Sequence, residues 1–272
     1  MVRTRQELIE RRDALTRERG EEITLDALTR DFTIYQRRRG HRHSTDDLLT
    51  AWYAVMHAPP SPRHLLDLGS GIGSVGLSVL WRFPEATLTA IEVQPVSFAL
   101  LRENVSASSL EERVTTICGD LRQFSARERY DLVTGSPPYF DVTDGIVSAD
   151  PQRAAARFEL HGTVNDYCVA AASALTDGGR FVFCFPTLQT ERAKAACANA
   201  ELHILTLRDV IPKVALPPLF SLFACAKKSD ALATTTRVEP PLIVRDVNGE
   251  HTPEMHAVRE GFGFTPGVPH IV

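Results

Sequence analysis

No stretch of this sequence approaches the ~18–20 consecutive apolar residues that a membrane span requires. The first residues, MVRTRQELIERRDALTRERGEE, are charged and lack the apolar segment of a secretory signal. No C-x-x-C pair occurs among the five cysteines (Cys118, Cys168, Cys184, Cys197, Cys225), and most of them sit among apolar residues. A disulfide framework or a cysteine zinc site is therefore not expected, and free buried thiols in a reducing cytoplasm are. Internal repeats and low-complexity tracts are missing as well. A net charge of −4 excludes a basic coat over the whole surface but leaves room for a local basic patch.

What is present is ordinary for a soluble globular chain: 43% hydrophobic and 24% charged residues over 272 positions. That length suits one large domain with an extension, and it can bury a core without staples. Charge is uneven. Residues 1–42 carry eleven Arg and eight Asp or Glu, a segment of +3, which leaves the remainder at −7. Leu8, Ile9, Arg12 and Leu15 give a helix one thin apolar edge, broken near Gly20. DFTIYQ (31–36) reads as extended, and RRRGHRH (37–43) as a hairpin tip around Gly40. The expected division is an N-terminal basic helix with an extended or hairpin segment at 1–43, and one domain over 44–272.

Ser44 or Thr45 can cap the next helix, with Asp46 and Asp47 in its first turn, and the helix stops before Pro59-Pro60-Ser61-Pro62. From residue 64 strands and helices alternate. Strands are expected at 64–68, 87–92, 114–118, 130–135, 180–185, 203–210 and 219–227. Helices are expected at about 74–82, at 93–108, at about 163–175 and at 187–200. The last two strands are joined by KVALPP, a hairpin-like close. The fold class is α/β: a Rossmann-like, doubly wound, mostly parallel seven-stranded sheet with an antiparallel last strand. The tail PPLIVRDVNGEHTPE adds a strand-like run and an Asn-Gly turn.

The segment Asp67-Leu68-Gly69-Ser70-Gly71-Ile72-Gly73 closes the first of these strands, where glycines permit a tight turn and close approach to a ligand. Glu92 ends the second strand and can accept hydrogen bonds from both ribose hydroxyls of an adenosine. Gly71, Gly73 and Gly76 also satisfy G-x-G-x-x-G, the dinucleotide fingerprint, which by itself is weak. Three features favour S-adenosylmethionine: Asp67 ahead of the glycines, Asp120 (followed by Leu121) closing the third strand toward an adenine, and the closing strand hairpin.

Ser136-Pro137-Pro138-Tyr139-Phe140 follows the fourth strand on the same rim. The chain here resembles class I methyltransferases with an Asn/Asp/Ser-Pro-Pro-Tyr motif, whose members methylate exocyclic or amide nitrogens. The logic of the motif is readable. The amine on a base is a poor nucleophile because its lone pair is delocalised into the ring. Ser136 and the Pro137 carbonyl can accept its N–H bonds and hold the lone pair toward a sulfonium methyl, so positioning supplies most of the catalysis. Tyr139 and Phe140 can stack on a flat substrate. No metal is needed.

Within that group the chain is most similar to bacterial tRNA adenine-N6 methyltransferases that modify the adenosine beside the anticodon of a valine tRNA. The resemblance runs over about residues 31–260. It includes FTIYQRRRGHRHSTDDLLTAW, RAAARFELHGTVNDYCVAAASALTDGGRFVFCFP and the tail. It implies that Thr45 and Asp46 contact the methionine part of the cofactor, and that tRNA is the partner. The departures are Ser136, where those enzymes typically carry Asn, and Asp47, where a glycine is common. Serine here is familiar in N4-cytosine methyltransferases of DNA. The alternatives are therefore methylation of a protein glutamine, cytosine N4 or a small metabolite, and, in another class, a silent methyltransferase fold that binds RNA. Arg37, Arg38, Arg39 and Arg42 are the candidate phosphate contacts, with Arg153 and Arg157, which can alternatively pair with Glu159. His41 and His43 can touch phosphate. His161 is a loop residue near the site without an evident partner.

Overall fold

The computed structural model describes residues 3–126, 129–141, 143, 147–230 and 235–265. Helix α1 (Arg5–Arg19) opens with a capping box in which Thr4 Oγ1 accepts from the Glu7 amide and Glu7 accepts from the Thr4 amide at 2.7 Å. Gly20, at φ 65°, closes it. Strands β1 (Ile23–Ala27) and β2 (Thr33–Arg37) then form an antiparallel hairpin. Its tip is at residues 28–32, not around Gly40. The Leu28 and Thr29 amides donate to the Phe32 carbonyl, and Thr29 Oγ1 accepts from the Phe32 amide at 3.0 Å, so this five-residue turn is held from inside. Gly40 instead lies in the turn that leads to α2 (Thr45–His57).

Beyond α2 the expected alternation holds: β3 (His64–Leu68), α3 (Ser74–Arg82), β4 (Thr87–Glu92), α4 (Pro95–Ala107), β5 (Val114–Cys118) and β6 (Tyr130–Gly135). Helix α5 (Pro151–Arg157) lies in what reads as loop, and α6 (Val164–Ala174) follows it. Strand β7 (Leu175–Pro186) starts earlier than its apolar core suggests. Then come α7 (Thr190–Asn199), β8 (Leu202–Ile211), β9 (Phe220–Lys227), β10 (Arg237–Ile243) and α8 (Pro253–Gly261), the last without a sequence expectation.

The main sheet has eight strands, not seven, in the order β10-β8-β9-β7-β6-β3-β4-β5. Strand β9 is antiparallel to both neighbours, whereas β10, the last in sequence, runs parallel to β8. The antiparallel strand is thus the penultimate one. Pro240 and Pro241 explain where β10 sits. Two residues without an N–H break the ladder between Glu239 and Leu242, which only an edge strand tolerates.

One face of the sheet is covered by α1, the hairpin, α2, α3, α4 and α8, the other by α6 and α7. Alternation along β7 shows the division: Phe181, Phe183 and Phe185 point to the α6–α7 side, Val182 and Cys184 to the α2 side. All five cysteines are free, and Cys118 alone among them is exposed. Among the described residues no helix is long and apolar enough to cross a membrane.

Asn104, fully buried on α4, ties three parts together. Its Oδ1 accepts from the Tyr35 amide at 2.6 Å, and its Nδ2 donates to the Tyr35 carbonyl (3.2 Å) and the Ile72 carbonyl (2.8 Å). The hairpin and the glycine loop are thereby fixed to one helix. Asn104→Ala strands three buried backbone groups and is expected to cost roughly 2–4 kcal/mol. In thermal denaturation this is a fall of roughly 5–15 °C, together with weaker cofactor binding through the loosened Ile72.

Candidate active site

The carboxyl ends of β3, β4, β5 and β6 open into a cleft of about 930 Å³, counting its open mouth. Its wall includes the glycine loop after β3, where Gly69, Gly71 and Gly73 all have positive φ (62°, 57° and 95°). Each glycine is required for a different reason. A Cβ on Gly69 would stand 2.0 Å from the Tyr167 hydroxyl, and one on Gly76 2.8 Å from the Asp67 carboxylate. On Gly71 it would meet nothing within 4 Å, so only the left-handed backbone selects glycine there.

Asp67 is buried. Its Oδ1 accepts from the Thr134 hydroxyl at 2.6 Å and its Oδ2 from the Gly76 amide at 3.2 Å, which locks β3 to β6 and to the first turn of α3. Burial pushes its carboxyl up to about 6. Both oxygens serve the fold, so Asp67 shapes the wall more than it offers a ligand contact. Glu92, also buried on the wall, accepts from the Gly71 amide at 2.8 Å and from the Gln94 amide at 2.7 Å. Burial raises it to about 7, against the pull of these amides.

Asp67, Gly69, Ser70, Gly71, Glu92, Leu121 and Ser136 line the cleft. Other candidates fall elsewhere. Gly73 caps α3 and packs toward Leu77 and Leu101. Asp120 is off the wall, with both of its oxygens bound by Arg122, and the neighbouring Gly119 and Leu121 are on it. Thr45 and Asp46 are not on the wall either. Asp46 Oδ2 accepts from the Tyr139 hydroxyl at 3.1 Å, while Asp47, one residue on, faces the cleft.

The basic cluster is mostly neutralised within the fold. Arg37 is a structural tie: its guanidinium reaches Glu21 (2.7 Å), Asp150 (2.8 Å) and Gln152 (3.1 Å), and its side chain is 14% exposed. Arg42 binds Asp26 and Thr24, and Arg38 pairs with Glu22 in solvent. Arg39 is exposed. On the far side, Glu159 pairs with Arg192 instead of Arg153 or Arg157, which leaves Arg153 exposed and Arg157 over the Phe140 ring at 5.7 Å.

Sequence reasoning missed Asp47, Gln152, His41 and Tyr167 as wall residues, while His161 lies on the wall. Asp47 had a signal, the paired acids at a helix start. Tyr167 had none, since its contact with Gly69 joins α6 to the loop after β3.

The profile of the methyltransferase small domain family matches residues 50–186, half of the chain. The chain belongs to this family. A tRNA1(Val) (adenine(37)-N6)-methyltransferase of Haemophilus influenzae is 28% identical over 227 residues, covering 82% of this chain and 91% of that protein. One of Aeromonas hydrophila is 32% identical over 167 residues, covering 61% and 68%. Among solved structures, a predicted O-methyltransferase of Agrobacterium tumefaciens matches with a TM-score of 0.63 at 18% identity, over 80% of this chain and 96% of that one. That likeness shows the fold.

The methyltransferase uses S-adenosylmethionine, and its cleft suits that cofactor. The wall offers a buried carboxylate at Glu92, apolar flanks at Ile91, Val93 and Leu121, and a second carboxylate at Asp47. When bound, the cofactor supplies an electrophilic methyl on a sulfonium sulfur. Glu92 would hold the ribose hydroxyls, Leu121 and Gly119 the adenine, and Asp47 the methionine ammonium.

The raised carboxyl of Glu92 has opposite consequences for binding and for folding. Its value is above the ordinary 4.5, so the neutral acid suits the fold; that contribution is present below about 4.5 and lost as pH rises through about 7. Ribose hydroxyls, in contrast, need the ionised acceptor. Affinity for S-adenosylhomocysteine, measured by calorimetry from pH 5.5 to 8.5, is therefore expected to rise through about pH 7, and Glu92→Gln to flatten that rise and weaken binding. A pH-independent affinity in the unaltered protein would reject the ribose contact.

Proposed function

We propose that this chain transfers the cofactor's methyl group to the N6 amine of an adenine in tRNA, at the nucleotide beside the anticodon. The observation that carries the reading is the placement of Ser136: an acceptor on the cleft wall at the end of β6, followed by two buried prolines that fix its direction. The curated relatives, named for this reaction, support it.

The loop is held from both sides. The Tyr139 and Phe140 amides donate to the Arg157 carbonyl at 3.1 and 2.9 Å, and Gln189 Nε2 donates to the Tyr139 carbonyl at 2.7 Å. Ser136 Oγ and the Pro137 carbonyl accept the two N–H bonds of the target amine and turn its lone pair to the methyl carbon. A preset acceptor pair removes the orientational cost of a direct displacement. Tyr139, whose hydroxyl bonds Asp46 beneath the loop, and Phe140 are not on the cleft wall itself; their half-buried rings, next in sequence to Ser136, are the aromatic surface available to stack on the base. A base stacked in an anticodon loop must first be unstacked to reach this point. The phosphate contacts belong to the exposed arginines, Arg38 and Arg39 on one side and Arg153 and Arg157 on the other. Residues 1–43 thus brace the catalytic domain of 44–272 and carry part of the RNA surface. Free thiols and a tRNA substrate support a reaction in the cytoplasm.

Labelled methyl offered to separated tRNA, rRNA, DNA and protein is expected in tRNA, recovered as N6-methyladenosine. Label in protein or as N4-methylcytosine would overturn the assignment. Replacing Arg38, Arg39, Arg153 and Arg157 together with Ala should weaken tRNA binding and reduce the slope of log affinity against log salt by roughly one unit per lost phosphate contact. The same change at Arg37 should instead lower thermal stability. An unaltered slope in the fourfold variant would remove these residues from the RNA surface.

A further inference from the structure

We propose that Cys184 is a positioning residue for methyl transfer, which fixes the rotation of the Ser136 hydroxyl from beneath the cleft. The inference rests on the reading above, that Ser136 accepts the target amine.

An asparagine at this place would present a planar amide whose acceptor direction follows from its side-chain torsions. A serine hydroxyl is shorter and turns between staggered orientations about its Cα–Cβ bond, and its hydrogen turns about the C–O bond. On the wall of an open cleft it needs a holder if it is to offer the same lone pair at each turnover. The register of the sheet supplies one. Gly135 of β6 lies opposite Phe183 of β7, so the next residues, Ser136 and Cys184, are cross-strand neighbours. Alternation on β7 turns Cys184 to the α2 face, where it is fully buried. Its thiol donates to Ser136 Oγ at 3.7 Å, a normal length for a sulfur hydrogen bond. With one lone pair so engaged, the other lone pair of Ser136 is confined to the directions left open by β7.

The sulfur is itself held by polar groups. The Tyr139 hydroxyl oxygen lies 3.3 Å from it and donates to Asp46 Oδ2 at 3.1 Å. Thr50 on α2, whose buried hydroxyl has no nearer partner, faces the same thiol. A merely space-filling position in a core would be lined by apolar groups; this one has three hydroxyls around one sulfur. Asp46, which the cleft wall does not use, takes the Tyr139 hydrogen while the Cys184 hydrogen goes to Ser136, so the approach of Tyr139 to Cys184 is a packing contact that sets the loop's aromatic residue beside the sulfur.

The test compares Cys184→Ala with Cys184→Ser in steady-state methylation of tRNA, with affinity for S-adenosylhomocysteine as the measure of an intact fold. Cys184→Ala is expected to lower kcat about tenfold, the scale of one lost buried hydrogen bond, while cofactor affinity stays within about twofold. Cys184→Ser, which keeps a donor and acceptor, should recover most of that loss. In a Ser136→Asn background, where an amide replaces the hydroxyl, adding Cys184→Ala should change kcat less than about twofold. Activity of Cys184→Ala near the unaltered level, equal losses in the Ala and Ser variants, or the same tenfold loss with Asn at 136 would each overturn the proposal. Should the unaltered chain label another acceptor instead of tRNA, the substrate assignment fails, and the Cys184 comparison is read on that acceptor.

Discussion

The buried carboxylate of Asp67 is the constraint on which the rest of the site depends. It stands at the end of the central strand β3, where a charge is costly, and its hydrogen bonds to the Gly76 amide and the Thr134 hydroxyl offset that cost. Those two bonds set the angle at which α3 leaves the sheet and the spacing between β3 and β6. The glycine loop and Ser136 lie at the ends of these two strands, so their separation follows from one side chain. The arrangement has a steric condition, the absence of a Cβ on Gly76, which would stand 2.8 Å from the carboxylate. What looks like the third glycine of a nucleotide fingerprint is here a packing requirement of Asp67.

Much of the fold was legible because it is written in local patterns. Seven strands of the main sheet fall where apolar runs alternate with helical spacing, whereas their order in the sheet is visible only in the structure. The glycine turn, Glu92 and the Ser-Pro-Pro-Tyr segment were legible for a different reason: each combines residue types at the carboxyl end of a strand, where such sheets bind ligands. The eighth strand was seen as a run but not as a sheet member. Its prolines argue against a central position and are compatible with an edge, but by themselves they do not show that the run joins the sheet. Strand β1 escaped because ITLDA shows no buried alternation by itself and gains its place only by pairing with β2.

Side-chain partners were the illegible part. Arg37 sits in a run of basic residues that looks like a phosphate patch, and its two acidic partners, Glu21 and Asp150, are 16 and 113 residues away. Asp120 appeared free to face an adenine, yet its nearest cation is two residues on, at Arg122. Composition by segment could not reveal either pairing. The +3 charge of the N-terminal segment is therefore a poor guide to the surface. Within the cluster Arg37, Arg38 and Arg42 are paired with Glu21, Asp150, Glu22 and Asp26, so a net excess in the segment does not mean free arginines at the surface.

The cleft itself is acidic, with Asp47, Asp67 and Glu92 on one wall. Their mutual repulsion adds to burial: Asp67 raises Glu92, and Asp47 raises Asp67. Such a wall is matched to a ligand that carries an ammonium and a sulfonium, since each cation relieves repulsion between the carboxylates as well as attracting them. It is ill matched to RNA phosphates. The acidic wall and the exposed arginines therefore separate a cleft suited to cations from a basic outer surface.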